Sequence, residues 1–393
     1  MQYNFDQVLD RRHSDSEKWN AYPEDVIPLW VADMDFVSPQ PVIRALQERV
    51  EHGVFGYPAA LGSKPNDFPE LRRLIVDRMA AHFDWSIEPQ DILALPGVIV
   101  GFNLASYCTT VPGSGVMIQT PVYPPILRAA QETSCTHQEM ELTLEADGSY
   151  SVDWQIFEDS LTPETLMFIL CNPHNPVGKV FRRDELQRMA EICLRKDVVI
   201  CSDEIHADLV YPEYQHIPIA SLSPEIAHNT ITLIAPSKTY NLAGLQCSFV
   251  IIQNPQLREQ YQGSRKGLVS WVNLMGLTAA EAAYRHGGEW LAQLMDYLRG
   301  NRDFVYDYVN HELPGVRMAC PQGTYLAWLD CREAGIEGSP YRFFLEKARV
   351  ALQDGASFGR AGQGFARLNF GTRRALLEEA LSRMKQALLH QAG

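Results

Sequence analysis

The sequence predicts an α/β protein, with a large domain on a mainly parallel sheet between helices and a smaller α+β C-terminal domain. Three observations carry this reading. Short apolar runs recur between residues 92 and 252, such as Thr165-Leu166-Met167-Phe168-Ile169-Leu170-Cys171. Unbroken apolar strands belong to sheets covered on both faces. Helical segments separate the runs, as in repeated strand–helix–strand units. Polar residues and turn formers stand just past the ends of the runs, where open α/β sheets carry their ligands.

Taken in order, residues 1–30 are irregular and rich in charge and aromatics, but Pro28 to Phe36 is too apolar for a disordered tail. Pro41 to His52 predicts a helix, with proline in its first turn and Gly53 after its end. A loop punctuated by glycine and proline follows, and then an amphipathic helix from Phe68 to Phe83. Ile92–Leu95 is a strand, Pro96-Gly97 a turn, and the stretch to Thr110 a helix. The first free N–H groups of that helix, at Gly97, Val98 and Ile99, form an anion site. Gly115–Thr120 is a strand ending at Tyr123, whose flanking prolines stiffen its mount. Thr165–Cys171 ends in Asn172-Pro173-His174-Asn175-Pro176-Val177-Gly178, a rigid turn. Helix Arg183–Lys196 leads to strand Val198–Ser202, which ends in Asp203-Glu204-Ile205-His206. Thr230–Ala235 precedes Ser237-Lys238-Thr239-Tyr240-Asn241-Leu242-Ala243-Gly244, and Ser248–Ile252 is another strand. Beyond it, Val272 to about Asn310 is helical with a break near Gly287-Gly288. Strands at Thr324–Asp330 and Phe365–Phe370, and helices at Ser339–Ala348 and Arg373–Leu389, complete the smaller domain. The expected division is an N-terminal segment 1–45 packing with the small domain, a large domain 46–285 and a small domain 286–393.

The 393 residues are 46% hydrophobic and 21% charged, a globular balance. Lys+Arg 34 against Asp+Glu 48 gives a net charge of −14, which argues against nucleic acid or an anionic membrane as partner. A small anionic ligand needs only a local cation. None of the 8 cysteines forms a Cys-x-x-Cys pair, so reduced core residues of a cytoplasmic protein are expected, not disulfides or a metal site. The polar start is unlike a signal peptide, and no apolar run reaches transmembrane length.

Most lysines are solvated surface residues. Lys238 differs in standing past a strand end beside two small hydroxyl residues, where a desolvated amine can form a Schiff base with a carbonyl. The cofactor with that demand is pyridoxal 5'-phosphate. Its ring nitrogen needs a carboxylate, for which Asp203 is placed. Its phenolic oxygen needs a neutral donor, Asn175, and its ring face an aromatic, Tyr123. Its phosphate needs the amides at Gly97, Val98 and Ile99 with Ser237, and Arg265 or Lys266 as cation. A substrate carboxylate asks for an arginine fork. Arg367, in an otherwise alternating strand, is such a fork or one half of a buried ion pair.

These motifs resemble the class I/II aminotransferase superfamily of pyridoxal-phosphate enzymes, fold type I. Trp-Val-Ala-Asp-Met-Asp-Phe, His-Gly-Val-Phe-Gly-Tyr and Phe-Ala-Arg-Leu-Asn-Phe-Gly look like its bacterial cystathionine β-lyase (C–S lyase) branch. The motifs span residues 28 to 371. The resemblance implies a seven-stranded-type sheet, Lys238 as the Schiff-base lysine, and the roles given above for Asp203, Asn175, Tyr123 and Arg367. It implies His206 near the phenolic oxygen, where aminotransferases usually carry tyrosine, and Ala32 with Asn175 against the substrate. Tyr57 resembles a tyrosine reaching the neighbouring subunit's phosphate, which implies a homodimer with shared sites. Phe370 departs from the alanine usual after Arg-Leu-Asn; it faces either the substrate or the core. The implied reaction is α,β-elimination of cystathionine or a related cysteine conjugate to pyruvate, ammonia and a thiol, with Lys238 and Tyr123 as candidate proton donors. The alternative is amino transfer on the same scaffold.

Overall fold

A seven-stranded sheet forms the centre of the protein in a computed structural model that describes residues 2–58, 68–265 and 267–391. Its strands are β1 (Ile92–Leu95), β2 (Gly115–Thr120), β3 (Thr136–Glu141), β4 (Thr165–Cys171), β5 (Val199–Asp203), β6 (Thr230–Ile234) and β7 (Ser248–Ile251). Their spatial order is β1-β7-β6-β5-β4-β2-β3. Strand β7 runs antiparallel to both neighbours, and the other pairs are parallel. Strands β1, β2, β6 and β7 are buried at every residue, which accounts for their largely apolar character.

Edge strand β3 (Thr-His-Gln-Glu-Met-Glu) is largely exposed, and the sequence pattern does not announce it. An edge carrying charged side chains lacks apolar alternation, and the same charges discourage pairing with another sheet.

One face of the sheet packs against α1 (Val98–Thr109) and α2 (Pro124–Glu132), through residues such as Phe102, Ala105, Ile126 and Ala129. The other face packs against α3 (Arg183–Arg195) through Leu186, Met189 and Cys193. Lys238 lies in α4 (Pro236–Thr239), a one-turn helix opened by proline just past β6.

The helical stretch that follows is two helices, α5 (Leu274–His286) and α6 (Gly288–Glu312). They divide at Gly287, where a Cβ would stand 2.5 Å from the Ala283 carbonyl and 2.5 Å from the Tyr240 ring. A second, three-stranded antiparallel sheet follows, made of β8 (Leu326–Asp330), β9 (Gln353–Asp354) and β10 (Phe365–Asn369) in the order β8-β10-β9. The N-terminal segment joins this part of the molecule, with Ile27 and Pro28 pairing in parallel with Val350 and Ala351. Trp30 to Phe36 then crosses between the two sheets without regular structure. All 8 cysteines are free, and five of them are buried. Among the described residues no helix is long and apolar enough to cross a membrane.

Candidate active site

The carboxyl ends of β4, β5 and β6 open into a cavity of about 740 Å³ whose lining includes Ala32, Tyr123, Asn175, Asp203, Lys238 and Arg367. Residues read from six separate stretches of sequence therefore meet in one place. Asp203 is the last residue of β5, and the Ile205 N–H donates to its Oδ1 at 3.2 Å. Asn175 sits in the turn after β4, and its backbone oxygen accepts from the Tyr123 N–H at 3.1 Å. The turn carrying the amide and the mount carrying the ring are thus tied together. Arg367 projects from β10, fully buried. One of its Nη atoms donates to Asn175 Oδ1 at 3.0 Å and the other to the Trp30 carbonyl at 3.0 Å. Its Nε has no protein partner, and no carboxylate pairs with it among the described residues. A buried cation left with an open donor suits an anionic ligand better than a structural ion pair.

The Lys238 amine donates to the Ala32 carbonyl at 2.6 Å. Burial lowers its pKa to about 8, with Arg367 acting in the same direction and Asp33 and Asp203 opposing. Burial likewise pushes the Asp203 carboxyl up to about 7; the Ile205 N–H and Lys238 act against that shift and Glu204 adds to it. An amine and a carboxyl displaced towards each other in a cleft are the pattern expected of a working site. His206 lines the same cavity, and its Nδ1 is buried without a partner. Burial, followed by Lys238 and Arg367, lowers its pKa to about 3. The imidazole is therefore neutral at physiological pH and packs edge-on to the Tyr325 ring at 6.0 Å.

The cavity fits pyridoxal phosphate by its own features. Gly97, Val98, Ile99 and Ser237 line one end of it. The free amides of helix α1 begin there, and the Gly97 N–H is held by Ser248 Oγ at 3.1 Å. Gly97 has φ +122°, and a Cβ on it would meet no protein atom within 4 Å. The missing side chain leaves room for a ligand against the backbone. The buried amine, the buried carboxyl and an asparagine amide surround the remaining space.

Three expectations fare differently. Arg265 does not line the cavity; its guanidinium stacks on Trp271 at 5.1 Å and donates to the Ser270 carbonyl at 3.3 Å. Lys266 lies outside the described residues. Tyr57 is fully exposed and does not line this cavity. Phe370 is fully buried in the core with residues such as Leu298 and Leu326, which decides between its two orientations.

The structure also adds groups that the motifs do not reveal. Tyr325 Oη donates to the Ala32 carbonyl at 2.9 Å. Asn369 Nδ2 donates to the carbonyls of Val31 at 2.5 Å and Asp33 at 2.7 Å. Trp30, Gln246 and Gln353 line the cavity as well. Asn369 alternates with Arg367 on β10, and that spacing was the available signal.

The family model of class I and II aminotransferases matches residues 24–384. The chain is 38% identical over 394 residues to cystathionine beta-lyase PatB of Bacillus subtilis, covering 98% of this chain and 100% of that protein. Cystalysin from Treponema denticola, whose structure contains pyridoxal 5'-phosphate, aligns over 100% of both chains with TM-score 0.94 and 33% identity. The structure of OvoB aligns over 98% of this chain and 99% of that chain, with TM-score 0.92 and 43% identity.

Proposed function

The chain belongs to the class I and II aminotransferase family, and from that premise we propose that it is a pyridoxal-phosphate-dependent carbon–sulfur β-lyase. Its substrates are cystathionine or related cysteine S-conjugates. The balanced reaction takes cystathionine and water to pyruvate, ammonia and homocysteine. One observation carries the reading: a buried amine and a buried guanidinium share one cavity, held by carbonyls only two residues apart, Ala32 and Trp30. Such a pair suits an α-amino acid, with the carboxylate on Arg367 and Lys238 in reach of Cα.

Bound cofactor supplies the carbonyl that Lys238 carries and an electron sink for charge at Cα. Lys238 takes the Cα proton, a task for which an amine lowered to about 8 is suited. Asp203 holds a proton on the ring nitrogen. Asn175 offers its amide N–H to the phenolic oxygen while its own oxygen accepts from Arg367. Tyr123 stacks on the ring. Burial raises its phenol pKa, so the hydroxyl keeps its proton at neutral pH, and with Lys238 it is a candidate donor to a leaving thiolate. His206, as a neutral ring, packs near the phenolic oxygen. Val98, Ile99 and Ser237 hold the phosphate beside Gly97, which leaves it room but whose own N–H is already taken by Ser248 Oγ, and the Ala32 backbone borders the substrate. A homodimer sharing its sites through Tyr57 is part of this reading. It draws support from apolar side chains left in solvent, with Phe55 62% and Leu268 87% exposed. A cytoplasmic location accords with eight free thiols.

The experiment is pyruvate and thiol release by purified protein from L-cystathionine, beside a sample given L-alanine and a 2-oxo acid. Rapid pyruvate and thiol formation is expected. Amino transfer without elimination would overturn the lyase assignment.

A further inference from the structure

The segment Trp30–Phe36 borders the candidate active site without belonging to a helix or a strand, yet its carbonyls are held by side chains. Arg367 holds Trp30, Asn369 holds Val31 and Asp33, and Lys238 with Tyr325 holds Ala32. Asn241 Nδ2 reaches Met34 and Phe36, both at 2.9 Å. Backbone bonds hold the strap near its ends, where the Leu29 N–H donates to the Ala351 carbonyl at 2.8 Å and the Asp35 N–H donates to the Gly371 carbonyl at 2.9 Å; between them its carbonyls rest on side chains.

Its two carboxylates are bound by cations of the N-terminal segment, in a cluster to which the proposed chemistry assigns no role. Arg11 bridges them, with Nη2 on Asp33 Oδ2 at 2.8 Å and Nη1 on Asp35 Oδ1 at 2.6 Å. The Lys18 side chain is fully buried, and its ammonium lies 2.8 Å from Asp35 Oδ2 and 3.3 Å from the Asp33 carbonyl. Trp19 Nε1 adds a bond to Asp35 Oδ1 at 2.8 Å. Two cations thus meet two anions on one short strap. Replacing buried ion pairs by apolar packing is often neutral or stabilising, so stability alone is a weak reason for such a cluster. Directional charge-assisted bonds are well suited to setting register.

We propose that Arg11 and Lys18 are positioning residues. By clamping Asp33 and Asp35 they fix the strap so that its Trp30 and Ala32 carbonyls meet the Arg367 guanidinium and the Lys238 amine. The assignment rests on the roles proposed above for Arg367 and Lys238.

Arg11 is the residue to change first, because its side chain is 23% exposed whereas Lys18 is sealed in. The cofactor-loaded protein and its Arg11→Met and Arg11→Lys variants are compared in two ways. Backbone hydrogen exchange of the peptide spanning residues 30–36 is followed by mass spectrometry. Binding of S-methyl-L-cysteine and of S-methylcysteamine, which lacks the carboxylate, is followed by cofactor absorbance. Arg11→Met is expected to speed exchange in the strap and to weaken the amino acid about tenfold, as for one misplaced charge-assisted contact, while the amine binds as before. Arg11→Lys should recover part of the loss. Unchanged strap exchange, or equal weakening of both ligands, would overturn the proposal. Neither readout needs turnover, so failure of the unaltered protein to release pyruvate would count against the lyase reading alone.

Discussion

Arg367 and Asn175, 192 residues apart in sequence, are joined by a hydrogen bond of 3.0 Å from the guanidinium to the amide oxygen. The bond links β10 of the smaller sheet to the turn after β4 of the central sheet. It orients the asparagine, because an oxygen engaged by Arg367 leaves the N–H groups as the end that can donate into the cavity. A substrate carboxylate on Arg367 and a cofactor oxygen on Asn175 would then feel each other through one contact.

Replacing Arg367 by alanine should therefore act on binding first. KM for the amino-acid substrate is expected to rise about 10- to 100-fold, the scale of a lost charge-assisted pair. Steady-state kinetics on cystathionine decide it, and an unchanged KM would remove Arg367 from the carboxylate site.

Lys238→Ala removes both the attachment point and the proposed base. Borohydride reduction of the loaded wild type should leave a cofactor adduct on the peptide carrying Lys238, and the variant should leave none. Turnover should fall by at least about 10³-fold. A variant that still released pyruvate at the wild-type rate would end the assigned role.

Asp203 makes a prediction about pH. Burial pushes its carboxyl up to about 7 in the folded, cofactor-free protein, against about 4 for an unfolded aspartate. The folded state thus holds the proton more tightly. The stability this group contributes is full below about pH 4 and is lost as pH rises through about 7. Asparagine cannot ionise, so Asp203→Asn escapes that loss. Urea unfolding of the cofactor-free proteins should show the variant gaining on wild type as pH rises from about 4 to about 7, by up to about 4 kcal/mol over the whole window. The same difference at both ends of that window would mean that Asp203 does not hold a raised pKa in the folded protein.

Phe370 separates packing from specificity. It is fully buried in the core that contains Leu298 and Leu326. Phe370→Ala should cost about 3–5 kcal/mol of stability through lost burial and the cavity left behind. KM at a temperature where the variant stays folded should match wild type. A selective change in KM without loss of stability would put the ring in the substrate site instead.

The sequence by itself determined most of the strands and helices between residues 92 and 252, the buried ones whose apolar faces are written in their own residues, but neither the edge strand Thr136–Glu141 nor the helix Pro124–Glu132. It also carried the family resemblance and most of the polar residues that the fold brings into one cavity. Lys238, Asp203, Asn175, Tyr123 and Arg367 stand beside strand ends or alternate on a strand, and that placement can be seen locally. Tertiary structure decided what depends on contacts across the chain. The polar edge strand Thr136–Glu141 has no periodic signal, since its partner strand and not its own side chains makes it a strand. The core orientation of Phe370, the diversion of Arg265 onto Trp271 and the 2.6 Å contact of Lys238 with the Ala32 carbonyl follow the same rule. Lys18 is the clearest case: in sequence it is one more charged residue near an irregular start, and only folding encloses it beside Asp35. A backbone carbonyl is the same group at every position, so a residue string cannot tell which one will face an amine some 206 residues away.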